Sequence, residues 1–338
     1  MRYTSCFLLE HGMAFGRNNV KPCTCLQGYN LCWVKEYHGE PFDADAYLKL
    51  RQKYVDLLKK GIIPETCVGC ANLEEKEWSD EASVEFIVVG NETKCSCDCF
   101  YCWFAEDKEY FNNFKSYNIM PILNSLKEKN LLKNLTIDVV GGECTEYKKG
   151  ELEEIVNFIL NGDNYFIHFF SSGMFYSDLI AEVMKNSKAN IVVSVDSGTR
   201  ETYEKIKRVK AFDKVWENMA KYSQIAVIDE LCQKGFVILK YIIIPGINDN
   251  IEEFRAFAQR AKECGCKWIR ISVVYQWWLE NSSKPMPQNL FALLDFIETF
   301  RNDFKIEYVE DSVYLWRKRM IEDKSYKGQN PCENKAGC

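Results

Sequence analysis

From about residue 84 onward, apolar residues come in short unbroken runs, and the stretches between them carry apolar positions every three or four residues. The runs are VEFIVVG (84–90), LTIDVV (135–140), YFIHFF (165–170), NIVVSVD (190–196), FVILKYIII (236–244) and KWIRISVVY (267–275). Their β-branched and aromatic residues predict strands. Between them ELEEIVNFIL, SDLIAEVMKN, DKVWENMAKYSQIAVIDEL and IEEFRAFAQRAKE carry helical spacing. Near-continuous apolar strands alternating with helices predict an α/β fold, a parallel sheet covered by helices that curls into a barrel or winds into an open sheet. In either form, chemistry belongs at the C-terminal ends of the strands. The segments that follow the strands are the cysteine loop KCSCDCFYCWF (94–104), then GGE, SSG, SVDSG, PGIND and QWW, so the unusual residues share one rim.

Residues 1–80 show little strand pattern and one helix candidate, DADAYLKLRQKYVDLLKKG. There Asp43 or Asp45 caps the start, Tyr47, Leu50, Tyr54, Leu57 and Leu58 form the apolar stripe, and Gly61 ends it. The expected organisation is a small cysteine-rich domain over 1–80, the α/β domain over 81–305 and a charged tail over 306–338.

Composition narrows the partners. Hydrophobic residues make up 47% and aromatics 14%, enough for a real core, and 43 basic against 49 acidic residues leave a formal charge of -6. No basic run is long enough to track a phosphate backbone, which argues against nucleic acid. No window approaches the length of a membrane span, and the start MRYTSCFLLEHG lacks signal-peptide features, which predicts no membrane and a cytoplasmic setting. In a reducing compartment the sixteen cysteines read as metal-binding thiols rather than disulfides where they cluster. Cys144, Cys232, Cys264 and Cys266 lie apart, in or beside apolar segments, and read as small buried hydrophobes.

Within the loop, Cys95, Cys99 and Cys102 are spaced C-x3-C-x2-C. Three thiolates on one tight turn suit a cubane of four irons and leave one iron open for a substrate. The same run with Cys97 as a fourth ligand would make a zinc knuckle. Taken singly, GGE reads equally as a turn, and Ser194 and Asp196 as a strand end and a cap for the helix beginning TRETYEKIK.

This spacing, with the aromatic Tyr101 just before the last cysteine, resembles the radical S-adenosylmethionine (radical SAM) superfamily over most of residues 84–275. The resemblance implies a partial (β/α)6 TIM-like barrel and a [4Fe–4S] cluster on Cys95, Cys99 and Cys102, with Cys97 non-ligating. It further implies that Gly141, Gly142 and Glu143 bind the methionine amino group and that Ser194 and Asp196 meet the ribose. Ser172 then stands where relatives carry a Thr-Asn-Gly turn, and Lys207 or Arg208 would meet the methionine carboxylate. The implied chemistry is reductive cleavage of S-adenosylmethionine to a 5′-deoxyadenosyl radical that takes hydrogen from a substrate, fed by an electron donor such as flavodoxin or ferredoxin. With His11, His38 and His168 the only histidines, a hydrolytic site has little to draw on.

The N-terminal pattern CFLLEHGMAFGRNNVKPC, a helical gap, then IPETCVGC resembles the auxiliary-cluster modules called twitch or SPASM domains, here ahead of the barrel. That resemblance implies a second cluster on Cys6, Cys23, Cys67 and Cys70, with Cys25 and Cys32 as alternative ligands. A structural zinc is the competing occupant. Three functions follow: radical modification of a small polar metabolite or sugar derivative by dehydrogenation or epimerisation, maturation of a peptide or protein, or a non-catalytic iron–sulfur or zinc protein. Trp277 and Trp278, after the sixth strand, offer aromatic faces suited to a sugar ring or to the core.

Overall fold

The computed structural model describes residues 1–309 except 17–18, 24–36, 38, 69, 71, 80, 91–93, 103–115, 149, 275–276, 278–279 and 282–286. Cys25, Cys32, Trp278, Cys332, Cys338 and the tail beyond 309 lie outside the described residues. The chain divides into two compact units, Met1–Cys95 with Asp107–Phe170 and Ser96–Glu106 with Ser171–Cys338.

In the first unit, strand β1 (Arg2–Ser5) pairs antiparallel with β4 (Glu74–Glu77), and helix α1 (Phe7–His11) leads into β2 (Gly12–Phe15) and β3 (Val20–Lys21). Helix α2 spans Ala44–Lys59. Its cap is Asp43, whose carboxylate accepts from the Ala46 amide at 2.9 Å, and Gly61 follows it at φ +75°, a conformation open to glycine. Tyr47 and Leu58 of the expected stripe are buried, as are Ala44, Arg51 and Val55, whereas Leu50 and Leu57 are half-buried. Tyr3, Cys6, Leu9, Val55, Leu58 and Trp78 form the small core under this helix.

The first unit's main strands are β5 (Val84–Val89), β6 (Leu132–Val139) and β7 (Phe166–Ser171), with helices α3 (Met120–Glu128) and α4 (Glu151–Leu160) between them. They pair in parallel, and β2 adds in parallel to β5. Residues 12–15 therefore extend this sheet, a contribution that the weak strand pattern before residue 80 did not reveal.

The second unit carries β8 (Ala189–Ser194), β9 (Val237–Ile243), β10 (Trp268–Val273) and β11 (Lys305–Tyr308), all parallel. Its helices are α5 (Asp178–Lys185), α6 (Arg200–Lys207), α7 (Phe212–Ile225), α8 (Ile251–Glu263) and α9 (Gln288–Glu298). All six expected strands and their crossover helices are present, and β11 adds to them. Two expectations fail near α7. The helix stops at Ile225 rather than Leu231, because Val227 and Ile228 are poor helix formers and the Asp229–Lys234 bridge closes a turn instead. Cys232 sits in that turn and is exposed, not buried; Cys144 and Cys266 are buried and Cys264 half-buried. No helix among the described residues is long and apolar enough to cross a membrane.

Candidate radical SAM site

In the second unit the cysteine loop is fastened to the C-terminal end of α6. The Asp98 amide donates to the Lys207 carbonyl at 3.1 Å and the Phe100 amide to that of Ile206 at 3.2 Å. Lys207, 2% exposed, sends its ammonium to the carboxylate of Asp196, 0% exposed. The Tyr101 hydroxyl joins them, donating to Asp196 Oδ2 at 2.6 Å and accepting from Lys207 Nζ at 2.8 Å. The other carboxylate oxygen accepts from the Ile242 amide at 2.8 Å. Asp196 thus has both oxygens held by protein donors. A buried carboxylate and ammonium are tolerable only as such a saturated pair.

The chain bends at Asp196 with φ +62°, and Asn248 holds the bend. Its amide nitrogen donates to the carbonyls of Asp196 at 2.7 Å and Ile242 at 2.8 Å, while its Oδ1 accepts from the Ile244 amide at 2.6 Å. The cap of α6 is Thr199, not Asp196, and Glu253 Oε1 receives the amides of Gly198 at 2.7 Å and Thr199 at 2.9 Å. Asn248 and Glu253 are both buried. Neither stood out in the sequence; the one signal was that PGIND follows a strand.

These charges act on the thiols. A hydrogen bond from Cys97, with the Lys207 ammonium working against burial, pulls the Cys99 thiol down to about 6. Burial, then the neighbouring Asp196, pushes the Tyr101 phenol well above its ordinary range. Cys97 is buried, with its sulfur 3.7 Å from Met174 Sδ, whereas Cys99 and Cys102 are half-buried. Ser194 ends β8 half-buried, Ser172 receives the Met174 amide at 3.4 Å, and Arg208 is exposed at φ +55°. Of the two basic candidates, Lys207 is therefore committed to Asp196 and Arg208 faces solvent.

In the first unit, Cys95 is exposed, and the adjacent Lys94 carbonyl accepts from the Glu143 amide at 2.7 Å. Gly141 and Gly142 have φ +85° and +61°. Side chains rarely adopt that region, so the turn after β6 needs both glycines. Glu143 is fully buried, and its Oε1 receives the Thr145 amide at 3.2 Å and the Thr145 hydroxyl at 2.9 Å.

Also in the first unit, Cys6 starts α1, accepting from the Leu9 amide at 3.4 Å. Burial, reinforced by the neighbouring Cys23, Cys70 and Cys67, pushes its thiol up to about 12. Cys67 and Cys70 share one turn, with the Cys70 amide donating to the Cys67 carbonyl at 3.1 Å. Among the described residues no three His, Cys, Asp or Glu side chains converge on a single-ion site.

A family model described as the radical SAM superfamily matches residues 93–273, more than half of the 338. The chain belongs to this superfamily. Radical SAM enzymes carry a [4Fe–4S] cluster and bind S-adenosylmethionine, and the chemistry of the loop fits such a cluster: it offers thiols on one turn, one of them held toward the thiolate. Clostridium perfringens GTP 3′,8-cyclase is 22% identical over 138 residues, 41% of this chain and 42% of the relative, so less than half of the relative is matched. Streptococcus suis SuiB bound to precursor peptide SuiA superposes with a TM-score of 0.50 at 14% identity, covering 90% of this chain and 64% of SuiB. That likeness shows the fold, an α/β architecture of the partial (β/α)6 TIM-like barrel kind. Another solved structure, hexahistidine-tagged anSMEcpe with bound AdoMet, is 15% identical, with a TM-score of 0.47, over 67% of this chain and 61% of its own.

Proposed function

We propose that Cys95, Cys99 and Cys102 hold the superfamily's cluster and that the chain uses it to modify a small polar metabolite or sugar derivative by dehydrogenation or epimerisation. The observation that carries this is the Tyr101–Asp196–Lys207 set, which ties the cysteine loop to α6, while the Cys97 hydrogen bond and then the Lys207 ammonium bias Cys99 toward the thiolate that a metal requires. When bound, cluster and S-adenosylmethionine supply a 5′-deoxyadenosyl radical that removes hydrogen from substrate. The protein's part is to hold and shield. Gly141 and Gly142 let the backbone approach the methionine, Glu143 receives its ammonium, and Ser172, Ser194 and Arg208 are the candidate contacts to its remaining polar groups. Asp196 orients Tyr101 and Lys207 and through them the loop.

Residues 1–80 serve as a twitch-like module in this reading, with Cys6, Cys23, Cys67 and Cys70 on an auxiliary cluster. The mutual influence of these four thiols supports it. The electron donor is a flavodoxin or ferredoxin of the cytoplasm. A peptide is the second reading, since SuiB was solved with its precursor peptide. Anaerobic incubation of reconstituted enzyme with candidate substrates, following 5′-deoxyadenosine and substrate mass, tests the proposal. Loss of two hydrogens or solvent-deuterium uptake in a small molecule supports it, and a cross-link in a peptide favours the second reading. Failure to cleave S-adenosylmethionine at all would defeat both.

A further inference from the structure

Four thiols share the cysteine loop, but they differ in exposure. Among the described loop residues, 94–102, only Cys97 is buried; Cys95 is exposed, and Cys99 and Cys102 are half-buried. Four thiolates on such a run could close a cubane or hold a tetrahedral zinc. An iron left open for S-adenosylmethionine therefore requires that the fourth thiol stay off the cluster. Cys97 is not remote, since its sulfur hydrogen-bonds to Cys99.

Cys97 donates to Met174 Sδ at 3.7 Å, and the two residues are 9% and 8% exposed. A thiol-to-thioether bond is weak by itself, so the backbone on each side must impose it. On the side of Cys97, the next residue is pinned: the Asp98 amide donates to the Lys207 carbonyl at 3.1 Å, at the end of α6. On the side of Met174, residues 171–177 are latched to α7. Asn218, fully buried, donates from Nδ2 to the carbonyls of Gly173 at 2.8 Å and Met174 at 3.0 Å. Four residues along the same helix face, the Tyr222 hydroxyl accepts from the Ser177 amide at 2.8 Å, and its ring stacks on Tyr176 with centres 4.6 Å apart.

Gly173 sets how deep this turn lies. Its φ is +76°, and a Cβ there would stand 2.7 Å from Val193 Cγ1 and 3.1 Å from Val215 Cγ1. A side chain would therefore lift the turn off β8 and α7, and Met174 with it. Two separately fastened segments thus meet at one contact between sulfurs. To ligate an iron, Cys97 would have to leave it.

We propose that Met174, seated by Asn218 and Gly173, is a positioning residue that holds Cys97 off the cluster and so keeps one iron open for S-adenosylmethionine. This rests on the cluster assignment above and deepens it, because it gives the reason why a loop of four cysteines serves as a set of three. The test is an electron paramagnetic resonance titration of S-adenosylmethionine into reduced, anaerobically reconstituted full-length protein, with iron content and melting temperature measured beside it. In Met174→Ala the released Cys97 competes for the open iron, and a competitor that occupies half of the sites lowers apparent affinity about two-fold, so a fall of about two-fold or more is expected. Adding Cys97→Ala should bring the affinity back to that of Cys97→Ala alone. Met174→Leu keeps most of the volume and loses the sulfur, and it should show the same Cys97-dependent fall, which keeps the test decisive if the alanine variant loses fold or iron. Parent-like affinity in a folded, fully loaded Met174 variant, or a fall that Cys97→Ala does not reverse, would overturn the proposal while leaving the cluster assignment standing. A parent protein whose signal ignores S-adenosylmethionine would overturn that assignment and the proposal with it.

Discussion

Cys6 and Cys99 are both shielded thiols in cysteine clusters, yet their surroundings push them in opposite directions. Cys6 lies against Tyr3, Leu9, Val55, Leu58 and Trp78, and burial with thiol neighbours pushes it up to about 12. Cys99 has the Cys97 hydrogen bond and the Lys207 ammonium, and falls to about 6. A thiol packed on an apolar core suits a closed structural centre, whereas a thiol beside a buried ammonium suits a reactive one. The difference is burial on one side against a hydrogen bond and a nearby charge on the other, and it separates two cysteines that look alike in the sequence.

The largest effect should come from removing the rim set. The triple change Cys95→Ala, Cys99→Ala, Cys102→Ala should abolish reductive cleavage of S-adenosylmethionine while retaining about four of the roughly eight irons expected for two cubanes. Iron analysis beside 5′-deoxyadenosine formation checks it. Parent-rate cleavage would reassign the loop, and four irons with one zinc in the parent would make the N-terminal set a zinc site.

A smaller effect tests what fastens the rim set. Lys207→Met leaves the fully buried Asp196 carboxylate without its cation and should cost about 3–5 kcal/mol of stability, read as a lower urea midpoint. Tyr101→Phe removes one of the donors to Asp196 and should cost about 1–3 kcal/mol. If Lys207→Met costs less than its tyrosine counterpart, the ion pair does not organise this loop.

The smallest effect concerns Glu143. Glu143→Gln keeps an oxygen for the Thr145 donors but removes the charge, so S-adenosylmethionine affinity should fall about ten-fold with iron content preserved. Parent-like affinity at full iron loading would leave Glu143 as a turn-stabilising residue alone.

Much of this was legible beforehand. The six strands were readable because parallel strands covered on both faces are almost wholly apolar, as VILKYII shows with Lys240 its one half-exposed position. Gly141 and Gly142 were readable because a left-handed turn leaves few other choices of residue. The contact of Asp196 with Lys207 was not, since a carboxylate eleven residues before a lysine carries no sign that the two meet beside a tyrosine. β2 was hidden because its four residues, GMAF, are too few for alternation to show. The contact of Cys97 with Met174 was invisible because 77 residues separate the two and only the fold brings them together.

The most direct test of the division between the two thiol sets is electron paramagnetic resonance on reduced variants that keep one set each, with and without S-adenosylmethionine. The variant retaining Cys95, Cys99 and Cys102 should give a cluster signal that changes when S-adenosylmethionine is added. The variant retaining Cys6, Cys23, Cys67 and Cys70 should give a signal that S-adenosylmethionine leaves alone. A response confined to the N-terminal set, or none from the loop set at full iron loading, would contradict the account.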